Sequence, residues 1–310
     1  MENKKIVVAF GRNAFSDSFP KQKERVRKAA LAVADLVEEG YDVVVTHSNG
    51  PQVGMIQTAM TEYSRLDEDR TVAPMAICSA MSQGYIGFDL QNSIRTALLE
   101  RGIYKPVSTV ITQVRVDPFD RAFNNPHKVI GRLMTKEEAE NEKKKGNYVE
   151  YEEDENGYRR IIASPKPIDI YEIDSIKLLS DAHQVVIAAG GGGIPVLEQH
   201  FTLKGASGII EKDYTAAKLA DMLNADALMI LTSSDYITIE KYGEKEELKE
   251  LTVSQAQDLV NNNLLDTATS LPKLDASLSF VSSGENRMAV ITDIEKAKAG
   301  IRGRVGTIIK

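Results

Sequence analysis

Short runs of β-branched and other apolar residues alternate along this chain with longer stretches that carry a helical pattern. The first run covers residues 6–10, and residues 21–39 follow with apolar side chains at helical spacing before Gly40. A second run, residues 43–45, comes shortly after that glycine. Because a strand, a helix and a second strand in this order form a crossover unit, the pattern predicts two parallel strands in one sheet.

The same alternation continues along the chain. We predict further helices over residues 79–101, 214–223, 253–260 and 272–281, and further strands over residues 107–112, 185–189, 227–231, 236–239 and 288–291. With 310 residues and 42% hydrophobic side chains, the chain suits one large α/β domain or two smaller ones. The order of the elements favours an α/β fold with a mainly parallel sheet.

A polar, proline-punctuated stretch interrupts the alternation between residues 117 and 167. Within it, Thr135 and Glu138 form the pattern of a capping box at the start of a charged helix. Asn156 and Gly157 have the composition of a hairpin turn. Since aliphatic and aromatic residues recur between the charges, we predict an inserted lid subdomain over residues 118–166, within one domain that spans residues 1–310.

The charge and cysteine content exclude several classes of partner. The formal charge is −7, and binding to nucleic acid or an anionic membrane needs clustered Lys and Arg, so neither partner is expected. The single cysteine, Cys78, excludes an internal disulfide, and no apolar run is long enough to span a membrane. The four histidines show no metal-binding spacing. We therefore expect a cytoplasmic protein without a protein-held metal centre.

Three segments that follow predicted strands are rich in glycine and amide side chains, and ligands of open α/β sheets bind at such strand ends. They are residues 11–14, 47–54 and 190–195. Glycine lets backbone N–H groups approach an anion, so the three segments together predict a phosphate-binding site. Taken alone, each segment fits a tight turn better. The chain has no P-loop and no dinucleotide-binding glycine motif, so phosphoryl transfer here would need a different scaffold.

Charged residues stand at the predicted starts of helices. Lys212 and Asp213 precede one helix, Lys273 begins another, and Lys128 lies at the entry to the insertion. A lysine opposes the helix dipole at an N-terminus, and a bound anion would account for its presence there. Asp213 is placed to hold the lysines, and Asp235 follows a strand where it could contact a base or ribose. The alternative for each residue is an ordinary solvated charge or polar turn.

Taken together, these segments resemble motifs of the carbamate kinases, which are members of the amino acid kinase family. Residues 46–54 read THSNGPQVG against the family pattern THGNGPQVG, and residues 111–131 follow the family pattern VTQVxVDPxDxAFxNPTKPIG. Residues 164–170, the glycines of 190–195 and the LPK of 271–273 match as well. The resemblance therefore extends over essentially the whole chain.

The resemblance implies an open three-layer αβα sandwich with a small protruding lid, a homodimer, and ATP or ADP with Mg²⁺ as the phosphoryl partner. It also implies reversible phosphoryl transfer between ATP and carbamate, which in arginine fermentation makes ATP from carbamoyl phosphate and ADP. By matched position, the catalytic residues are Lys128, Lys212, Asp213 and Lys273. The residues expected to bind substrate and phosphate are Gly11, Arg12, Asn13, His47, Ser48, Asn49, Gly50, Gln52, Gly191 and Gly192. Those expected to bind nucleotide are Thr232, Ser234, Asp235, Tyr236, Leu271 and Pro272. Such a set implies catalysis by positioning and charge neutralisation, without a covalent enzyme intermediate.

Substitutions in the site segments depart from the family pattern. Arg12 and Ser48 each stand where the family has glycine, and Glu211 stands where it has aspartate. An arginine at a phosphate loop either obstructs the anion or adds a charge to its site. Three hypotheses therefore stay open: a carbamate kinase, a paralogue for another small carboxylate or carbamate, and a non-catalytic member that binds nucleotide or a partner protein. The first is favoured because all four expected catalytic residues are retained.

Overall fold

The computed structural model of the protein describes residues 3–16, 18–67, 69, 71–153, 155–241, 244–262, 264–267 and 269–310. Its strands are, in chain order, β1 (Lys4–Phe10), β2 (Tyr41–His47), β3 (Val107–Thr109), β4 (Gln113–Val116), β5 (Lys128–Met134), β6 (Tyr148–Glu152), β7 (Gly157–Ile162), β8 (Pro167–Ile170), β9 (Val185–Ile187), β10 (Ile194–Gln199), β11 (Thr202–Gly205), β12 (Ala227–Thr232), β13 (Ile237–Lys241), β14 (Glu244–Leu248), β15 (Glu250–Leu251), β16 (Met288–Asp293) and β17 (Thr307–Ile309). Its α-helices are α1 (Phe19–Glu38), α2 (Gly50–Ser64), α3 (Met75–Glu100), α4 (Lys136–Lys144), α5 (Ile173–Asp181), α6 (Lys212–Met222), α7 (Val253–Asn261), α8 (Ser270–Ser282) and α9 (Ala297–Ile301).

Eight strands form one large sheet in the order β15-β17-β16-β12-β1-β2-β9-β3. Neighbouring strands are parallel throughout, except for the antiparallel pair β16 and β17. The central strands β1 and β2 are buried over most of their length, as their continuous apolar runs predict for strands covered on both faces. The prediction of an α/β fold with a mainly parallel sheet is confirmed.

Side chains of β1 enter two different apolar cores because successive residues of a strand point to opposite faces. Ile6, Val8 and Phe10 pack into a core that includes residues of α1 and α3. Val7 and Ala9 pack into a second core with residues of α6 and α8. The large sheet therefore lies between two helical layers, which is the three-layer αβα sandwich.

An antiparallel sheet of β5, β7 and β6, here called the small sheet, carries α4. The predicted capping box forms, because Thr135 N donates to Glu138 Oε2 at 2.9 Å and Glu138 N donates to Thr135 Oγ1 at 3.3 Å. The predicted hairpin joins β6 to β7 through Asn156, whose φ is +49°. Buried apolar side chains attach the small sheet to α2 and α3; they include Val53, Met75, Cys78, Ile130, Ile162 and Ile209.

Two local features differ from the sequence interpretation. Residues 47–54 were expected to form a loop, but α2 already begins at Gly50, with Pro51 in its first turn. Proline is tolerated there because the first N–H groups of a helix have no intrahelical partner, so the Gly-Pro pair marks a helix start rather than a turn. The predicted strand at 236–239 forms as β13, but it pairs antiparallel with β14 in a separate two-stranded ribbon outside the large sheet.

Candidate active site

The carboxyl ends of β1, β2 and β12 open into a deep cleft, and the small sheet forms its opposite wall. Parallel strands end at the same edge of a sheet, so the segments that follow them converge there. The cleft has a volume of about 2260 Å³. A site for one small molecule is typically about 300–1000 Å³, so this cleft has room for a nucleotide and a second, small substrate.

The first segment follows β1 and lies directly against β12. Gly11 N donates to Leu231 O at 2.8 Å, and a Cβ on Gly11 would lie 3.0 Å from the same oxygen. A glycine therefore suits this close approach of two backbones. Asn13 Nδ2 donates to Ser233 Oγ at 2.7 Å, which ties this segment to the one after β12. Both Gly11 and Asn13 line the cleft.

Arg12 also lines the cleft, and its side chain is exposed. It begins a single 3₁₀ turn, Arg12–Ala14, and its φ is not positive, so replacing a glycine here imposes no left-handed backbone strain. Within the described parts of the chain, no hydrogen bond or ion pair involves the Arg12 guanidinium. Lys21 and Arg25 of α1 line the cleft as well. The substitution therefore adds a cation to the cleft wall.

The second segment leads from β2 into α2. Ser48 N donates to Phe10 O at 2.9 Å, so the first and second segments start side by side. Asn49 immediately precedes α2 and is only 4% exposed. Its Nδ2 donates to Ser82 Oγ of α3 at 2.9 Å, which fixes the amide from behind. Ser48, Asn49 and Gly50 all line the cleft.

The third segment packs behind the second. Gly191 has a φ of +68°, and a Cβ on it would overlap the side-chain amide of Asn49. A Cβ on Gly190 would overlap the imidazole of His47. Gly191 lines the cleft, whereas Gly192 does not. Close packing against the second segment thus already requires glycine at two of these positions.

His47 and Gln52 were both predicted to bind substrate or phosphate, but they are buried beneath the cleft wall and do not line it. Burial lowers the pKa of His47 to about 4, so its imidazole is neutral at pH 7; Nδ1 lies 3.1 Å from Ser48 O. Gln52 Nε2 donates to Ser16 O at 2.8 Å and to Gln22 Oε1 at 3.2 Å. In the structure these two side chains support the first and second segments from within.

Lys212 and Asp213 stand in the first turn of α6, where their side chains form an ion pair. They are only 7% and 2% exposed. Lys273, on α8, donates from Nζ to Thr269 O. Burial lowers the pKa of the Lys273 ammonium; Asp213 opposes this shift and Lys212 adds to it. The three charged groups therefore influence one another across the cleft.

Lys128, the first residue of β5, approaches the same group of charges from the small sheet. Its ammonium pairs with the carboxylate of Glu211, which immediately precedes α6, and both side chains line the cleft. Lys128 also lowers the pKa of Lys273, and Glu211 opposes that shift. The structure thus brings the four expected catalytic residues to one cleft, with one of them on the small sheet and three on the body.

Sequence reasoning missed Lys166 as a site residue. This lysine lines the cleft, and its ammonium lies 5.1 Å from the centre of the Tyr214 ring. The Tyr214 hydroxyl donates to Asp275 Oδ2 at 3.0 Å, and burial raises the pKa of this phenol. The signal was available, because Lys166 lies within the family-like stretch 164–170. It brings a further ammonium group to the cleft wall beside Tyr214 of α6.

Most of the residues expected to bind nucleotide line the part of the cleft beyond β12 and at the start of α8. They are Thr232, Ser234, Tyr236, Leu271 and Pro272. Asp235 does not line the cleft; its carboxylate pairs with Lys296 at 2.5 Å. This wall combines hydroxyl groups with apolar surface, a composition that suits a ribose and a base.

Comparison with known proteins assigns the chain and its fold to one family. Residues 4–292 match the model of the amino acid kinase family. The chain belongs to that family. The chain is 47% identical to the carbamate kinase-like protein YqeA of Escherichia coli, with 99% of each chain covered. It is 44% identical to a carbamate kinase of Clostridium perfringens, with 98% of this chain and 99% of that relative covered. The carbamate kinase from Giardia lamblia bound to AMP-PNP superimposes with a TM-score of 0.91 at 32% identity, covering 99% of this chain and 98% of that one.

Proposed function

We propose that this protein is a carbamate kinase, which transfers a phosphoryl group reversibly between ATP and carbamate. The observation that carries the proposal is the group of Lys128, Lys212 and Lys273 with Asp213 in one cleft. The relatives support the same acceptor, because carbamate kinases match nearly the whole chain at 40–44% identity and a carbamate kinase-like protein matches it at 47%. In the fermentative direction the enzyme would make ATP from carbamoyl phosphate and ADP.

The lysines would act by stabilising negative charge on the phosphoryl group during transfer. Phosphoryl transfer needs positioning and charge neutralisation more than covalent chemistry, and several ammonium groups in a partly buried cleft supply both. Asp213, paired with Lys212, would hold that ammonium in place. Asn13 and Asn49, fixed by Ser233 and Ser82, would donate hydrogen bonds to the carbamate or phosphate. The transfer would therefore be direct, from nucleotide to acceptor.

The nucleotide would occupy the part of the cleft lined by Thr232, Tyr236 and Leu271, with its phosphates towards Lys212 and Lys273. The hydroxyl and apolar groups of that wall fit a nucleoside, and the relative from Giardia lamblia, whose structure is bound to AMP-PNP, supports nucleotide binding by this protein. The phosphates of the nucleotide would hold Mg²⁺, since this ion usually binds through substrate phosphates and few protein carboxylates, and the ion would neutralise part of their charge.

The resemblance to carbamate kinases also bears on the lid, the oligomeric state and the metabolic role of this protein. We propose that residues 118–166, which contain the small sheet, act as a lid over the cleft, and that the protein works as a homodimer in cytoplasmic arginine metabolism. In the described residues, no helix is long and apolar enough to cross a membrane.

A second candidate, a kinase for a larger or more anionic carboxylate, is favoured by one observation. Arg12, Lys21 and Arg25 all line the cleft, and Arg12 stands where the family pattern has glycine. A second anionic group on the acceptor would find cations there. An acceptor panel separates the two candidates: ATP-dependent phosphorylation fastest with carbamate supports the first, and a better dicarboxylate acceptor supports the second.

The test of the proposal is coupled formation of ATP from carbamoyl phosphate and ADP with Mg²⁺, measured for the wild type and for Lys212→Met and Lys273→Ala. Removing one charge-stabilising group at a transition state costs about 100- to 1000-fold in kcat. Lys204→Ala is the matched control, because this lysine is exposed on β11 and does not line the cleft. Wild-type rates in the two cleft variants would contradict the role given to the lysines.

A further inference from the structure

We propose that Glu211 is a positioning residue: its carboxylate holds the Lys128 ammonium at the cleft and ties the small sheet to the body. The two side chains form an ion pair although they are 83 positions apart in the chain. The inference rests on the proposed function only for its kinetic consequence. Its structural consequence, a tether between two parts of the fold, stands on the contacts alone.

The ion pair continues an apolar seam that already joins the small sheet to the body. Lys128 and Ile130 lie on the same face of β5, because side chains alternate along a strand. Ile130 packs against the body in a buried cluster that also contains Ile209. Glu211 follows Ile209 by two positions, so the charged pair extends the seam towards the cleft.

Backbone hydrogen bonds fix this register. Lys128 pairs with Ile162 in the ladder between β5 and β7, so it lies beside the end of β7. Just beyond that end, Ala163 O accepts a hydrogen bond from Ile209 N at 3.0 Å, and Ala163 forms a parallel bridge with Gly208. The segment that carries Glu211 therefore runs alongside the strand pair that carries Lys128. The side chains meet because the backbones are held together.

The carboxylate of Glu211 is available for this ion pair because it is not used to cap α6. Glu211 occupies the position before α6, where an acidic or hydroxyl side chain often caps the helix, but its side chain makes no capping hydrogen bond. The side chains of Lys128 and Glu211 are 35% and 20% exposed, so the pair is less screened by water than an ion pair on the open surface. Glu211 thus acts on substrate through Lys128.

The ion pair with Glu211 fixes the Lys128 side chain before substrate binds. A free lysine loses rotamer freedom when it is fixed against a ligand, and that loss weakens binding. A carboxylate that already fixes the ammonium removes part of the loss. Without Glu211, we expect weaker binding of the phosphorylated substrate together with a looser small sheet.

Hydrogen exchange followed by mass spectrometry tests the tether independently of activity. In Glu211→Gln, backbone amides of β5 should exchange roughly threefold to tenfold faster than in the wild type, the range expected for loss of one partly exposed ion pair. Glu211→Asp, which carries the residue of the family pattern, should stay near the wild type. Glu39→Gln is the control, because it removes ion pairs with Lys298 and Arg302 just after α1, away from the cleft and the small sheet, and the Glu39 side chain is similarly exposed at 17%.

The same substitution in a Lys128→Met background identifies the partner. If Glu211 acts through Lys128, then Glu211→Gln adds no further exchange of β5 once Lys128 is gone. Unchanged exchange of β5 in Glu211→Gln, or an equal increase with and without Lys128, would overturn the proposal.

Kinetics then separate positioning from direct catalysis. The Glu211→Gln enzyme should show a KM for carbamoyl phosphate raised by a similar roughly threefold to tenfold factor, with kcat changed less. A large fall in kcat with unaltered exchange of β5 would mean that Glu211 acts on the chemistry itself, which contradicts the positioning role. If the wild type does not use carbamoyl phosphate, the proposed function fails, and the exchange experiment still decides the role of Glu211.

Discussion

Replacing Gly191 by alanine should disturb the candidate site through a single methyl group. At Gly191 the backbone has a φ of +68°, and a Cβ there would overlap the side-chain amide of Asn49. That amide cannot simply move away, because Asn49 is buried and donates to Ser82 Oγ at 2.9 Å. The substitution therefore strains the backbone of the third segment and also displaces Asn49 from its hydrogen bond.

The expected size of the effect follows from these two contributions. An alanine in the left-handed region costs about 1–2 kcal/mol, and loss of a buried hydrogen bond costs about 1–3 kcal/mol. Together they correspond to a fall in Tm of roughly 3–8 °C for a chain of this length. If Asn49 donates to the transferred group, losing it should lower kcat/KM by about 100-fold or more.

Thermal unfolding and the coupled ATP assay, run on Gly191→Ala beside the wild type, check both effects. Gly84→Ala is the matched control, because Gly84 lies within α3 and a Cβ there meets no atom within 4 Å. The control should keep the wild-type Tm or exceed it, since alanine favours a helix interior over glycine. Wild-type stability and activity in Gly191→Ala would refute the packing argument. A lower Tm with unaltered kcat/KM would remove Asn49 from the reaction.

Three further predictions concern His47, Arg12 and Lys166. Burial lowers the pKa of His47 to about 4, below the value near 6.5 of an unfolded histidine. By linkage, this shift contributes about 3 kcal/mol to the free energy of unfolding; the contribution is present above pH 6.5 and is lost as the pH falls to 4. Urea unfolding from pH 7 to 4.5 should therefore show a shallower loss of stability in His47→Gln than in the wild type; parallel curves would contradict the pKa shift. Arg12→Gly should change the free energy of unfolding by less than about 0.5 kcal/mol and raise the KM for carbamoyl phosphate, because it removes an exposed cation from the cleft wall. A steep gain in activity would instead show that Arg12 obstructs the phosphate loop. Lys166→Ala should weaken nucleotide or acyl phosphate binding in calorimetric titration, since this ammonium lines the cleft beside Tyr214; unchanged affinity for both ligands would exclude a binding role.

Regular periodicity made the main architecture predictable from the sequence. The apolar run of β1 and the helical spacing of α1 each reflect burial, and burial of β1 on both faces leaves only a sheet covered by two helical layers. The capping box at Thr135 and the turn at Asn156 were predictable because their chemistry is local. The start of α2 at Gly50 was not, because glycine and proline serve both turns and helix starts.

The site was predictable only where a residue's role depends on its type. Lysines beside helix starts suggest an anion, and Lys212 and Lys273 do line the cleft. Whether a motif residue faces the cleft or the core depends on tertiary packing, so His47 and Gln52 could not be assigned to the interior from their motif. The pairing of Lys128 with Glu211 likewise depends on register between distant segments, which no spacing in the sequence expresses.

We propose that this cleft transfers a phosphoryl group between carbamoyl phosphate and ADP. The most direct measurement is ³¹P NMR of the purified protein with carbamoyl phosphate, ADP and Mg²⁺, followed against the Lys212→Met variant. We predict that the carbamoyl phosphate signal decays as the ATP signals grow in a one-to-one ratio, and that the variant slows this conversion by about 100-fold or more. Carbamoyl phosphate that decays to inorganic phosphate alone, at the same rate with and without the protein, would contradict phosphoryl transfer to ADP.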